Sequence, residues 1–272
     1  MNRLIQGTWL IGENKEEYKK DYECINYGIQ KGLTTIDTAE MYGDGKSEIL
    51  IGDVIKNYRR NDLYLISKVY PWNTSRDKLL NSLTNSLKRL NTNYLDLYLL
   101  HWDNNLNLEK VINNFEELKE KGLIKNWGVS NIDTPKMKKI LSYKNGNKCY
   151  ANQVLYNIKS RGIEFDLIPY LVNNNIKILT YSPLIHNDIL RKEVINNKVL
   201  NEIAKLKNIT IYQLLLAFVL RNENINVICK TNNIDHIDKN IKALNIKFTE
   251  NELNLIDREF NPPKNKIPLE EI

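Results

Sequence analysis

The sequence predicts an α/β protein folded as one (β/α)8 TIM barrel, and three observations predict it. Short apolar segments of strand character alternate with amphipathic helical segments eight times over about 250 residues, the count and length of that architecture. No break in composition and no Pro- or Ser-rich linker divides the 272 residues, so 1–272 read as a single barrel domain. The first strand runs into Gly7-Thr8-Trp9, without the Gly-x-Gly-x-x-Gly turn that opens a doubly wound dinucleotide fold.

Taken in order, Ile5 to Leu10 is strand one. The helix from Glu16 to Lys31 repeats Tyr22, Ile25 and Ile29 at helical spacing and stops at Gly32, which tolerates the left-handed backbone of a helix end. Strand two is Thr34 to Asp37, and after a Gly-x-Gly loop a helix beyond Lys46 offers Ile49, Ile51, Val54 and Ile55 as its apolar face. Leu63 to Val69 is strand three, and a helix from Ser75 lines up Leu79, Leu80, Leu83, Leu87 and Leu90. Tyr94 to His101 is strand four, and the helix Leu108 to Lys121 ends at Gly122. Strand five is Asn126 to Ser130, after which Thr134-Pro135 supplies a cap and a first-turn proline. Strand six is Ala151 to Leu155, followed by a helix from about Asp166 to Asn174; Lys177 to Tyr181 is strand seven. A longer connection carries helices Lys198 to Leu206 and Thr210 to Arg221, the latter opened by a Thr210/Gln213 capping box. Asn226 to Lys230 is strand eight, Ile234 to Leu244 its helix, and Thr249/Glu252 caps a final helix.

Composition excludes several classes. The formal charge of +6 is scattered among acids on helical faces, as in Lys15-Glu16-Glu17-Tyr18-Lys19-Lys20, which argues against a nucleic-acid surface. No run of about 18 apolar residues and no apolar leader occurs, so no membrane span and no export are expected. Cys24, Cys149 and Cys229 are odd in number and far apart, form no CxxC pair and no metal cluster, and read as reduced core thiols of a cytoplasmic protein.

Placing the strands brings four ionisable residues to one rim. Asp37 ends strand two with Tyr42 one loop later, Lys68 lies near the end of strand three, and His101 ends strand four. Neighbouring strands are about 4.8 Å apart, so the four converge. Singly, each has a plain structural explanation: a helix cap, a half-buried aromatic, a snorkelling lysine, a core histidine. Their coincidence on successive strands points to a site. A phenol titrating near 10 gives up its proton poorly at neutral pH; a neighbouring ammonium is expected to pull it down, and a carboxylate to hold that ammonium charged. With an imidazole to align a substrate oxygen, the set protonates an oxygen on which negative charge builds. It contains no serine or cysteine nucleophile and no metal triad.

With these residues in view, the chain resembles the aldo-keto reductases over nearly its whole length. Their catalytic Asp, Tyr, Lys and His match Asp37, Tyr42, Lys68 and His101 within Asp37-Thr38-Ala39-Glu40-Met41-Tyr42-Gly43 and Leu99-Leu100-His101-Trp102. Trp127-Gly128-Val129-Ser130-Asn131, Gln153 and Tyr181-Ser182-Pro183-Leu184 extend the match. The resemblance implies NAD(P)H-dependent reduction of an aldehyde or ketone, with hydride from nicotinamide C4 and the proton from Tyr42. It implies that Ser130, Asn131 and Gln153 hold the carboxamide, Tyr181 stacks on the ring, and Ser182 and Leu184 border the pyrophosphate. Lys230, Thr231 and Asn232 would face the adenosine 2'-phosphate, with Asn240 near the adenine. Relatives often place an arginine where His236 stands and a glutamate where Lys239 stands. NADPH is therefore expected with a narrowed margin over NADH. Trp9, Trp72 and Trp102 are expected to wall a pocket for apolar or aromatic carbonyl compounds, or else to be ordinary rim packing. The family's N-terminal floor hairpin is missing and the C-terminal tail is short, which predicts an open mouth. A monomer or weak homo-oligomer is expected. The competing reading is a cofactor-binding regulatory subunit on the same scaffold, without significant turnover; a third is reduction of a C=N or C=C bond.

Overall fold

The computed structural model describes residues 1–272. Its strands are β1 Leu4–Gly7, β2 Thr35–Asp37, β3 Tyr64–Val69, β4 Leu95–Leu100, β5 Ile124–Ser130, β6 Ala151–Leu155, β7 Lys177–Tyr181 and β8 Ile225–Lys230. They pair parallel in chain order, and β8 pairs back to β1 to close the barrel. The helices are α1 Tyr18–Gln30, α2 Lys46–Ile55, α3 Arg76–Arg89, α4 Leu108–Glu120, α5 Thr134–Ser142, α6 Leu167–Asn173, α7 Asp188–Ile195, α8 Lys198–Leu206, α9 Ile211–Leu220, α10 Ile234–Ala243 and α11 Glu250–Glu259. No single helix is long and apolar enough to cross a membrane.

Two separate cores follow from strand alternation. Ile5, Ile66, Leu97, Leu99, Ala151, Leu179 and Ile228 fill the barrel interior. The opposite faces of the same strands join the helices in a far larger shell that includes Ile36, Leu65, Tyr98, Val129, Ile178 and Val227. Tyr64 and Tyr150, half-buried against the interior cluster, fill the amino-terminal floor. Asn2 ties that edge together, accepting from the Thr35 N–H at 2.9 Å and, through its carbonyl, from Asn226 at 2.9 Å.

The structure departs from the sequence expectations in four places. Strand one stops at Gly7, because Thr8 turns inward and donates both its N–H (3.1 Å) and its hydroxyl (3.0 Å) to the carbonyl of Asp37. Leu10 follows with φ 64° and is exposed. Ile49 is 46% exposed and does not belong to the packed face of α2. Helix α7 falls where the sequence predicts only connection; of its residues only Val194 is buried, and Asn187 caps it by accepting from the N–H groups of Ile189 and Leu190. The expectation of an open mouth also fails. The tail doubles back over the carboxyl ends of the strands: Lys266 pairs with Asp133 and Asp166, and Ile267 packs on Gly162. Leu269 joins the outer core, and the Glu271 carboxylate comes close enough to help push the Tyr181 phenol up, after burial as the main cause.

Candidate active site

Side chains on one strand face point the same way every second residue, and this alternation builds the site. Above Ile66 comes Lys68; above Leu97 and Leu99 comes His101; above Ala151 comes Gln153; above Leu179 comes Tyr181; above Ile228 comes Lys230. Each of these strands thus fills the interior with apolar residues and spends its last inward position on a polar one. Register sets their mutual height: Asp37 lies opposite Ile66, Lys68 opposite Leu99, and Ser130 opposite Gln153.

Lys68 is the centre of the arrangement. Its ammonium is fully buried and donates to Asp37 Oδ1 at 2.6 Å, to the carbonyl of Thr38 at 2.8 Å and to the hydroxyl of Tyr42 at 3.1 Å. Three donors thus meet three acceptors, which an ammonium removed from water requires. Asp37 Oδ2 accepts from the Gln153 side-chain amide at 2.8 Å. The His101 ring stands edge-on to Tyr42 at 5.9 Å between centroids, and its Nδ1 is buried without a hydrogen-bond partner. All four predicted catalytic residues are therefore together at the carboxyl rim.

Electrostatics correct one expectation. Burial pushes the Tyr42 phenol up and outweighs the lowering by the Lys68 ammonium, so the net direction is above the ordinary value. Local sequence cannot weigh these two effects, because both depend on packing. Burial opposes charge on Lys68, yet the Asp37 carboxylate and the Tyr42 hydroxyl together raise it, so it stays an ammonium. His101 is pushed down to about 3, first by burial and then by Lys68. The resting state is a neutral phenol, a neutral imidazole and a charged lysine.

Around the rim, the Ser130 hydroxyl and the Asn131 N–H both donate to the carbonyl of Gln153, at 2.9 and 2.8 Å. Asn131, at φ 58°, accepts at its side chain from the Tyr181 hydroxyl at 2.9 Å. These four therefore adjoin the tetrad. Ser182, at φ 52°, starts the connection past half-buried Leu184. Across the barrel, Lys230 is exposed and makes no ion pair within the chain, while Thr231 Oγ1 and His236 Nδ1 are 3.4 Å apart and Asn232 donates to Glu17 at 2.8 Å. Asn240, on α10, is buried and donates to Cys229 Sγ at 3.5 Å.

Of the three tryptophans, Trp72 and Trp102 meet at 5.5 Å, with Tyr70 stacked on Trp72 at 4.4 Å and His101 5.0 Å from Trp102. Trp9 sits apart against His186 at 4.8 Å. Tyr70, His186 and Glu40 were not singled out from the sequence. Tyr70 and His186 carried the same signal as the tryptophans, aromatic character just beyond a strand end, whereas Glu40 carried none.

A family model described as the Aldo/keto reductase family matches residues 3–259. The methylglyoxal reductase YeaE of Escherichia coli is 41% identical over 265 residues, covering 97% of this chain and 93% of that protein. An aldo/keto reductase from Klebsiella pneumoniae, solved with NADP and acetate, superimposes with a TM-score of 0.97 at 38% identity, covering 100% of this chain and 96% of the other. A second structure from Klebsiella pneumoniae, with NADPH, gives the same TM-score and identity, covering 100% and 95%.

Proposed function

This chain belongs to the aldo/keto reductase family, and from that premise we propose how its residues carry the chemistry and on what substrate. It is an NADPH-dependent oxidoreductase that reduces an aldehyde or ketone to an alcohol. In our reading the substrate is a small reactive carbonyl compound of the methylglyoxal class, supported by the relative named for that activity.

Asp37, Tyr42, Lys68 and His101 are the catalytic residues of this reading. Bound NADPH supplies the hydride to the carbonyl carbon. Ser130, Asn131 and Gln153 would hold its carboxamide, Tyr181 its ring, and Ser182 and Leu184 its pyrophosphate; Lys230, Thr231, Asn232, His236 and Asn240 would face its adenosine end. The fit rests on a polar shelf adjoining the tetrad and on an unpaired ammonium at Lys230, a suitable partner for a phosphate. Neutral His101 donates one hydrogen bond to the substrate oxygen and fixes its direction. Tyr42, held neutral by burial, transfers its proton to that oxygen as it gains charge. The phenolate left behind is stabilised by Lys68, and Asp37 keeps Lys68 charged and in place. Trp72 and Trp102 flank the opening together, and Trp9 stands apart from them against His186.

The observation that carries the reading is the buried ammonium shared by Asp37 and Tyr42. Following NADPH absorbance with methylglyoxal and a panel of aldehydes and ketones tests it. Tyr42→Phe should lower turnover by ~10³-fold or more, in line with loss of a positioned acid, and leave NADPH affinity within about twofold, since it removes only an oxygen. Normal turnover in Tyr42→Phe, or NADPH binding by the parent without any turnover, would overturn it. A cofactor-binding role without catalysis is not favoured beside relatives named as reductases. We infer a cytoplasmic monomer or weak homo-oligomer, in keeping with three buried free thiols.

A further inference from the structure

Glu40 is a carboxylate with no salt-bridge partner, and each of its oxygens is nonetheless engaged. Oε1 accepts from the backbone N–H of Tyr70 at 2.8 Å and from the side-chain amide of Asn73 at 3.1 Å, and Oε2 accepts from the hydroxyl of Ser82 on α3. Its own N–H points to the carbonyl of Lys68 at 3.4 Å. Glu40 precedes Tyr42 by two residues, and Tyr70 follows Lys68 by two. One half-buried side chain thus fastens the loop bearing the phenol to the loop leaving the strand that bears the ammonium.

The second of these loops also carries the aromatic wall. Tyr70, whose N–H is held, stacks on Trp72 and meets Trp102 edge-on at 5.8 Å. Trp72 is 55% exposed and is held against the mouth by this stack, by the turn Pro71–Asn73 and by its own edge-on contact with Trp102 at 5.5 Å. A carboxylate suits the task because it accepts several hydrogen bonds and donates none, and bonds to a charged acceptor are about twice as strong as neutral ones.

We propose that Glu40 is a positioning residue that locks the Tyr42 loop to the Tyr70–Trp72 loop, setting both the placement of the proton donor and the discrimination between bulky and small carbonyl substrates. The inference rests on the assignment of Tyr42 as the donor. A misplacement of about 1 Å costs on the order of 10²-fold in rate, so Glu40→Ala should lower kcat by roughly 10- to 100-fold with NADPH affinity within about twofold. It should also bring the KM of an aromatic ketoaldehyde, phenylglyoxal, towards that of methylglyoxal, since the wall no longer stands. Glu40→Gln keeps an oxygen towards Tyr70 and Asn73 and presents its amide to Ser82, whose hydroxyl can turn to accept; it should restore kcat to within about threefold.

Four measurements decide: kcat and KM for both substrates, NADPH affinity by fluorescence, the melting temperature, and acrylamide quenching of tryptophan emission. Quenching should rise in Glu40→Ala, and the rise should vanish when Trp72→Phe is added. Parent-like kinetics and quenching in Glu40→Ala would overturn the proposal, as would parallel loss of NADPH affinity or a Glu40→Gln variant as impaired as Glu40→Ala. Absence of turnover in the parent chain would instead sink the donor assignment. The quenching arm would then still report whether Glu40 holds the wall.

Discussion

The β2–β4 quarter of the rim and the β8 edge stand on the same ring of strand ends but are held in opposite ways. At the first, Lys68 is fully buried and every one of its protons has a named acceptor. At the second, Lys230 is exposed and makes no ion pair, and its neighbours Thr231 and His236 contact each other rather than it. Ions inside a protein must be paired before any ligand arrives, because each otherwise costs several kcal/mol; an ion in water can wait. The quarter around Lys68 is therefore part of the fold's stability, and the edge around Lys230 is not.

Lys68→Met is the strongest test of that contrast. It should abolish turnover, by ~10³-fold or more, and also destabilise the chain by about 3–5 kcal/mol, the usual cost of stranding the partner of a buried pair. Gln153 still donates to Asp37, which favours the lower end. The measurements are turnover and the urea midpoint at pH 7. A variant that loses activity at unchanged midpoint would show the pair to be dispensable to the fold and the two parts of the rim to be held alike.

Lys230→Ala probes the other side and should have a smaller, narrower effect. Losing a charge-assisted contact to phosphate should raise KM for NADPH by roughly 10- to 100-fold, leave KM for NADH nearly unchanged, and hold the urea midpoint at the parent value. Equal weakening of both cofactors would place Lys230 away from the 2'-phosphate. Glu17, which accepts from Asn232 in the same loop, sets a carboxylate near that position, so the parent's preference for NADPH should itself be modest.

How far these features were legible follows from the same contrast. The barrel was readable because strand and helix periods differ, and the tetrad because Lys68 and His101 continue the inward phase of Ile66 and of Leu97 and Leu99 into a polar residue. Alternation reports direction without any knowledge of partners. What sequence could not supply depended on partners distant in the chain. Trp9 and Leu10 look like more strand until Thr8 finds the carbonyl of Asp37. Helix α7 carries Ile189, Leu190, Val194 and Ile195 but buries only Val194, so its apolar residues find little core to fix them. The tail has no period at all, and its path is set by Lys266 meeting Asp133 and Asp166. Glu40 has nothing local to distinguish it from a solvated loop acid. The direction of the Tyr42 shift failed for the same reason, since a neighbouring charge can be guessed from the strand order and the degree of burial cannot.

His101 gives the mildest effect and the finest separation of the two regimes. Its ring is neutral in the fold down to about pH 3, whereas an unfolded chain protonates it near 6.5. Between these values the unfolded state binds the extra proton, so this residue lowers stability as pH falls, by at most about 1.4 kcal/mol per pH unit. Above 6.5 it contributes no slope. His101→Gln cannot titrate, and it should therefore gain on the parent between pH 7 and pH 4 by roughly 1–3 kcal/mol, read from urea midpoints at the two pH values. Carboxylates titrate in both proteins and cancel in the difference. Parallel losses would mean that the imidazole takes up its proton in the folded chain as readily as in water. The quarter of the rim around Lys68 would then be as wet as the edge around Lys230, and neutral hydrogen-bond donation by His101 would have to be replaced by an imidazolium at the substrate oxygen.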